Sequence, residues 1–255
     1  MSILLSGDFH NGVCGEMEYL TKDYLIKKYS RELYDEISCH IILGDGGFLW
    51  PGQQGREASI FKTLAERPFP ILCVYGNHEP VLGRPDLPEV DIGIGEKVIA
   101  ANESKPLVAY LKRGKVYHIE NRKFLVLGGA LSIDKYRRQP NISWWKNEYW
   151  TKEEEAGLFA LLEEDRNFDY VLSHTGPNRI NEIVFYQLPG IDIMKFTDRV
   201  AALNDKIDAK ITCKQWFCGH WHHTLYYYDE ELKRGYQYLY EDTALMRDTS
   251  RNTTT

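Results

Sequence analysis

Short apolar runs recur along the chain, and each stops at a residue from one restricted polar set. Ile3-Leu4-Leu5 leads to Asp8-Phe9-His10, Ile41-Ile42-Leu43 to Gly44-Asp45, and residues 71–75 to Gly76-Asn77-His78-Glu79. Tyr170-Val171-Leu172 leads to Ser173-His174, and Trp216-Phe217-Cys218 to Gly219-His220-Trp221-His222. Runs of this length between Gly-containing breaks predict strands. Residues 16–38 carry Met17, Leu20, Tyr24, Ile26, Leu33 and Ile37 among charges, the spacing of one or two amphipathic helices that close a βαβ unit. A second helix is predicted over 56–66, stopped by Arg67-Pro68-Phe69-Pro70. Residues 80–106, with Pro80, Pro85, Pro88, Pro106 and several glycines, read as an irregular surface insertion.

Farther on, residues 115–120 and 123–127, separated by Asn121-Arg122, predict an antiparallel hairpin that leads to Gly128-Gly129. Thr151-Lys152-Glu153-Glu154 has the capping-box pattern for a helix to about residue 165. A further helix is expected over 194–208. A closing hairpin is expected over 225–229 and 236–241, with a charged turn ending in Gly235, and a Thr-rich disordered tail over 247–255. No internal repeat is visible. Alternating strands and helices with antiparallel hairpins make this an α/β chain, a two-layered β-sheet core flanked by helices. The strand endings run through the whole chain, so residues 1–246 are expected to form a single domain.

Bulk properties narrow the function. The chain has 255 residues, a net charge of −6 and a pI near 5.8, which argues against general nucleic-acid binding through clustered Lys and Arg. Its first residues lack the basic region and long apolar core of a secretion signal, and no segment approaches the roughly 20 apolar residues of a membrane span. The five cysteines, Cys14, Cys39, Cys73, Cys213 and Cys218, are scattered and read as reduced thiols of a cytoplasmic protein.

One His or Asp after an apolar run is ordinarily a turn residue. Five such endings together point elsewhere, because open α/β sheets gather ligands beyond the carboxyl ends of their strands. Imidazole, carboxylate and amide groups without thiolate suit Mn, Fe, Co or Zn; the expected cofactors are two divalent or mixed-valence ions of this set, with Mn foremost in vitro. Two such ions about 3.5–4 Å apart generate a hydroxide near neutral pH and bind phosphoryl oxygens.

In order, Asp8-Phe9-His10, Gly44-Asp45, Gly76-Asn77-His78-Glu79, His174 and Gly219-His220-Trp221-His222 resemble the five signature blocks of the calcineurin-like metallophosphoesterases, here of the bacterial or phage type. The resemblance implies that family's sandwich-like fold and a dinuclear-metal-dependent phosphoesterase acting on phosphomonoesters or phosphodiesters through a bridging hydroxide. It assigns Asp8, His10, Asp45 and His222 to one metal and Asp45, Asn77, His174 and His220 to the other, with Asp45 as the bridge. His78 then assists the leaving oxygen as general acid or orients the phosphate.

Two departures separate the chain from the Ser/Thr protein phosphatases. Where their second block carries an Asp and then an Arg, this chain has Phe48 and Leu49, and the first block continues to Asn11 instead of Gly. The donor-rich segment from Gly128 to Arg138 resembles segments of bacterial and phage members and offers Arg137 or Arg138 to the substrate, with Arg179 as a weaker candidate. Alternative readings are a nucleotide phosphodiesterase or nuclease, for which Trp144, Trp145 and Trp150 would stack on bases, and a non-catalytic protein-binding scaffold. His40, His118 and His223 read as structural, and Glu79 as a support for neighbouring loops.

Overall fold

The first apolar run is buried on both sides: Ile3 and Leu5 face one hydrophobic layer, Leu4 another. The computed structural model describes residues 1–10, 21–50, 54–80, 84–185 and 198–247. Its elements are β1 (Ser2–Ser6), α1 (Lys22–Tyr29), α2 (Arg31–Asp35), β2 (Ile37–Ile42), α3 (Gln54–Leu64), β3 (Ile71–Cys73), β4 (Glu89–Val90), β5 (Val98–Ala100) and β6 (Val108–Tyr110). They continue with β7 (Lys115–Ile119), β8 (Arg122–Val126), α4 (Lys152–Glu164), β9 (Tyr170–Leu172), α5 (Asn178–Phe185), α6 (Arg199–Asp208), β10 (Gln215–Cys218), β11 (Leu225–Asp229), β12 (Arg234–Tyr238) and β13 (Thr243–Met246).

These strands form two mixed sheets, one ordered β13-β1-β2-β3-β6-β5-β4 and the other β11-β12-β10-β9-β8-β7. The strands that lead to the candidate ligands are parallel within their sheets, β1 to β2 to β3 and β9 to β10. Alternate residues of both sheets, among them Ile3, Ile41, Leu72, Phe124, Leu172 and Phe217, share one buried cluster between the sheets. The opposite faces are covered by helices. Trp216, Val171 and Leu125 pack with Leu158, Ile180 and Ile207 of α4, α5 and α6, while Ile42 and Ile71 pack with Ile60 and Leu64 of α3. Burial on both faces is why the runs are continuously apolar and do not alternate. The expected α/β class, with two sheets between helices, is what the structure has.

Several expectations need correction. Of the one or two helices expected over 16–38 there are two, divided at Ser30, whose φ of 110° ends α1 and whose side chain caps α2; residues 16–20 lie outside the described part. Residues 80–106 are not only a surface insertion: β4 and β5 extend the first sheet, Val98 is buried and the Ile94 carbonyl accepts from His118 N. The hairpin turn is Glu120-Asn121, both at positive φ, so Arg122 already pairs with Ile119.

Gly235 lies inside β12, paired with Tyr228, rather than ending the turn, and a Cβ there would stand 2.7 Å from the Tyr226 hydroxyl oxygen. The segment after His174 is helical from Asn178, with the Pro177 carbonyl accepting from Asn181 N at 2.9 Å. Conversely, the capping box forms in full, with Thr151 Oγ1 accepting from Glu154 N and the Glu154 carboxylate accepting from Thr151 N. The helix expected over 194–208 is described from Arg199; residues 194–197, Cys14 and 248–255 lie outside the described part.

His40 is buried in β2, with Nε2 2.8 Å from Ser6 Oγ, and burial followed by the nearby Arg67 charge holds its imidazole well below the ordinary 6.5. The unfolded chain therefore takes up this proton first. The contribution is present above about pH 6.5 and falls at lower pH by at most about 1.4 kcal/mol per unit. In metal-free urea titrations at pH 7.5 and 5.5, the wild type should lose about 1 kcal/mol more than His40→Gln, which keeps a hydrogen-bonding group without titrating. Equal losses would remove His40 as a source of acid sensitivity.

Candidate metal centre

At the carboxyl ends of β1, β2 and β10 the backbone turns abruptly. Among the described non-glycine residues, eleven have positive φ, and five of these are Asp8 (47°), His10 (42°), Asp45 (52°), His220 (72°) and His222 (52°). Such left-handed backbone is unfavourable for residues with a Cβ and persists where the surroundings impose it. Here it points ligand-type side chains to the seam between the sheets.

The side chains converge. His10 Nε2 and His222 Nε2 are 3.2 Å apart, and His222 Nε2 is 3.9 Å from Asp8 Oδ1. His174 Nε2 lies 2.9 Å from Asn77 Oδ1, 3.4 Å from Asp45 Oδ2 and 3.9 Å from Asp8 Oδ1. Two groups of His and carboxylate atoms result, Asp8-His10-His222 and Asp8-Asp45-His174, each with all ligand atoms within 4.8 Å of one another. Asp8 thus belongs to both groups and Asp45 to one. His220 is outside both, its ring 5.0 Å from that of His174, while its backbone N donates to Asp8 Oδ2 at 2.6 Å.

Ring orientation is set from behind. His174 Nδ1 is 2.7 Å from the Leu43 carbonyl, which can only accept, so this nitrogen carries the hydrogen and Nε2 is turned to the seam. The exposed His222 ring lies flat on Tyr240, with centroids 4.4 Å apart. Glu79 is buried and accepts from Gly46 N at 2.7 Å, so it supports the Asp45 loop. Burial, then the Asp45 charge, pushes its carboxyl up to about 7.

Charge and burial work against each other here. Burial pushes the Asp45 carboxyl up, but His78 and His174 beside it hold it well below the ordinary 3.8. His174 responds oppositely: burial lowers it, and Asp45 with Asp8 raises it to about 9. Burial and His174 depress His220 well below 6.5, and burial and His10 bring His222 down to about 4. Two neutral imidazoles beside buried carboxylates and an amide oxygen are a donor set that fits divalent transition-metal ions.

The donor-rich loop after β8 meets this centre. Arg138 Nη1 is 2.9 Å from His78 Nδ1, Arg138 Nε donates to Asp134 Oδ1 at 2.6 Å, and Nη1 also donates to the Ser143 carbonyl at 3.1 Å. Arg137 is exposed, its guanidinium over the Tyr136 ring. Arg179 is committed elsewhere, to Asp208 and Asp229 at 2.7 Å and to the Tyr236 hydroxyl at 2.9 Å. Phe48 and Leu49 are core residues packed with α3. Sequence reasoning missed Ser132 and Glu148: Asn77 Nδ2 donates to Ser132 Oγ at 3.0 Å, and Ser132 Oγ donates to Glu148 Oε2 at 2.6 Å. No spacing in the sequence marks them, since 55 and 16 residues separate the partners.

The sequence model of the calcineurin-like phosphoesterase family matches residues 1–224, and the chain belongs to that family. No curated protein matches it. Among solved structures, the phosphopantetheinyl hydrolase of Mycobacterium tuberculosis is similar at 12% identity and a TM-score of 0.46, over 94% of this chain and 90% of that one. A candidate 5′-nucleotidase of Staphylococcus aureus, solved with alpha-ketoglutarate, is similar at 14% identity and a TM-score of 0.48. That likeness covers 96% of this chain and 50% of the other, so the chain spans half its length. No helix among the described residues is long and apolar enough to cross a membrane.

Glycine next to a ligand gives a direct test. A Cβ on Gly76 would lie 1.9 Å from Asp45 Oδ1 and 2.4 Å from Asp45 N, an overlap with backbone that no rotamer relieves. Gly76→Ala should cost about 1–3 kcal/mol and reduce bound Mn in equilibrium dialysis. Gly157, exposed in α4 with nothing within 4 Å of such a Cβ, is the control. Gly157→Ala should gain about 0.5–1 kcal/mol and leave Mn binding unchanged. Normal Mn binding by Gly76→Ala would show that this close approach is dispensable.

Proposed function

We propose that this family member is a metal-dependent hydrolase of phosphate mono- or diesters. The observation that carries the proposal is the convergence of Asp8, His10, Asp45, Asn77, His174 and His222 at one seam, with His78 and Arg138 beside them. Asp8, His10, Asp45 and His222 would hold one ion, and Asp45, Asn77, His174 and His220 the other. The common placement of Asp8 in both convergent groups makes it a second carboxylate able to serve both ions, beside the Asp45 bridge that the resemblance implies. The ions, Mn in a reconstituted assay, supply Lewis acidity and nucleophile activation when bound.

The chain's own residues divide the remaining work. His78 Nε2 lies 3.7 Å from Asp45 Oδ2, so its ring borders the carboxylates and can meet a leaving oxygen or a phosphate oxygen. Arg138 supplies positive charge at that ring, and its own pairing with Asp134 limits its rotamers before substrate arrives. Asp134 and Arg138 bring to His78 the residue types that Phe48 and Leu49 do not supply. Arg179, bound in its carboxylate pairs, has no part in this assignment. For the base-stacking alternative, Trp145 and Trp150 are buried, Trp150 with Nε1 donating to the Gly128 carbonyl at 2.7 Å, which leaves, of the three, the partly exposed Trp144 beneath the Lys135 ammonium. Retention of the ligand set argues against a purely structural scaffold.

Mn-reconstituted hydrolysis of mono- and bis-nitrophenyl phosphate tests the proposal and its ester preference together. His78→Ala should lower kcat by about 10²–10⁴-fold if the imidazole transfers a proton. Asp45→Asn should lose both activity and bound metal. Wild-type chain that binds two ions yet cleaves neither ester, nor any member of a phosphoester panel, would overturn the hydrolase reading.

In the same assay, Arg138→Ala should raise KM or lower kcat, whereas Arg137→Ala should change little because its side chain is exposed and faces Tyr136. Unchanged kinetics in Arg138→Ala would remove it from the substrate site while leaving the hydrolase intact.

A further inference from the structure

We infer that Ser132 and Glu148 form a positioning relay that fixes the Asn77 amide with its carbonyl oxygen toward the metal centre; this rests on the metal-dependent reading above. An asparagine is a poor ligand unless its orientation is specified. Its oxygen and nitrogen are nearly the same size, but only the oxygen can bind a cation, and a half-turn of the amide would present an NH2 group instead.

The contacts around Asn77 specify the orientation in one direction. Oδ1 lies 2.9 Å from His174 Nε2, within the convergent group, and Nδ2 lies 3.0 Å from Ser132 Oγ. A serine hydroxyl alone would not discriminate, since it can donate to an amide oxygen as readily as accept from an amide nitrogen. Ser132 is not alone. Its hydroxyl is 2.6 Å from Glu148 Oε2, and an ionised carboxylate has no hydrogen to give. Ser132 must therefore donate to Glu148, which leaves its lone pairs for Asn77 and admits only Nδ2.

The carboxylate acts through an intermediate residue on a ligand it does not touch. Asn77, Ser132 and Glu148 are at most 3% exposed, so bulk water offers little competition for these bonds. Among the described residues, no Lys or Arg forms an ion pair with Glu148. A buried carboxylate without such a partner is costly, and structures keep one where its hydrogen bonds are needed.

The relay is also built on a braced frame. Glu148 ends a short 3-10 turn, Lys146–Glu148, and the carbonyls of its chain neighbours Asn147 and Tyr149 accept from the Arg113 guanidinium at 2.9 and 3.0 Å. Arg113 is itself paired with Glu154 at 2.6 Å on α4. Beneath the turn, a Cβ on Gly129 would come within 2.1 Å of the Glu148 carbonyl oxygen, so the loop after β8 and the turn lie in direct contact. Such bracing limits how far Ser132 and Glu148 can drift apart.

Mn titration by calorimetry, with dialysis to count bound ions, tests the relay in Ser132→Ala, Ser132→Thr and Glu148→Gln. Outer partners of metal ligands typically contribute about 10–100-fold in affinity, so Ser132→Ala and Glu148→Gln should weaken one of two ions by that factor and leave the other near wild type. Ser132→Thr keeps the hydroxyl and should recover most of the loss. Because Glu148→Gln is isosteric, it carries the test alone if Ser132→Ala does not fold. Wild-type affinity for both ions in folded Glu148→Gln, or equal weakening of both in step with a lower Tm, would overturn the relay. A wild-type chain that binds no divalent ion would instead overturn the metal-centre reading, and the relay with it.

Discussion

Two carboxylates, Asp8 and Asp45, lie buried where the sheets meet, and the architecture around them is organised to hold them there. Removing a carboxylate from water costs several kcal/mol unless donors replace the lost solvent. The donors come largely from backbone. His220 N, on the loop after β10, donates to Asp8 across the seam, and His78 N donates to Asp45. In the other direction His174, after β9, donates to the Leu43 carbonyl after β2. The bond from His220 to Asp8 therefore both stabilises a charge and ties one sheet to the other, and the bond from His174 to Leu43 adds a second tie. Left-handed backbone at Asp8, Asp45 and His220 accompanies this arrangement, since each residue must turn both a side chain and its neighbouring amides into a narrow space.

That constraint explains which features could be read from the sequence. A parallel strand buried on both faces has to be continuously apolar, and a ligand placed beyond its end has to be polar, so the change from Leu5 to Asp8 or from Leu172 to His174 is visible in the chain itself. The capping box at Thr151 and Glu154 was equally legible because the bonds it needs are local. Four short strands were not, among them β6 with three residues. β4 and β5 sit in a Pro-rich stretch that imitates a loop, and β13 has four residues whose partner, β1, lies at the other end of the chain. Their pairing depends on contacts that no local period records. Ser132 and Glu148 escaped for the same reason, since a serine and a glutamate in a polar loop are distinguished only by what folding places beside them.

Phe48 and Leu49 show the complementary case, in which a departure from an expected pattern has its cause in packing. Both residues are buried against α3, where an Asp or Arg would face Ile60 and Leu64 without a partner. Charge of the same kinds reaches His78 from another element, the loop after β8, where Asp134 and Arg138 pair four residues apart. Arg179 shows why proximity in sequence to a candidate ligand is a poor guide. Although it follows His174 by five positions, Asp208, Asp229 and the Tyr236 hydroxyl already surround its guanidinium. An arginine with those bonds made would have to break them before it could grip a phosphate.

Access differs across the seam, and the means of orientation differ with it. The His174 side chain is fully buried, whereas that of His222 is 49% exposed. On the closed side, the His174 ring donates to the Leu43 carbonyl and the Asn77 amide to Ser132 Oγ, and these bonds orient both groups, because in a dry pocket an unmet donor is expensive and a met one is firmly directional. On the open side water competes for hydrogen bonds, and the His222 ring is instead laid against Tyr240, a contact that depends on area and shape. His78 and Arg138 are partly exposed, between these extremes. The groups proposed to meet the ester are thus the ones solvent can still reach, while those proposed to hold cations deepest are the ones it cannot.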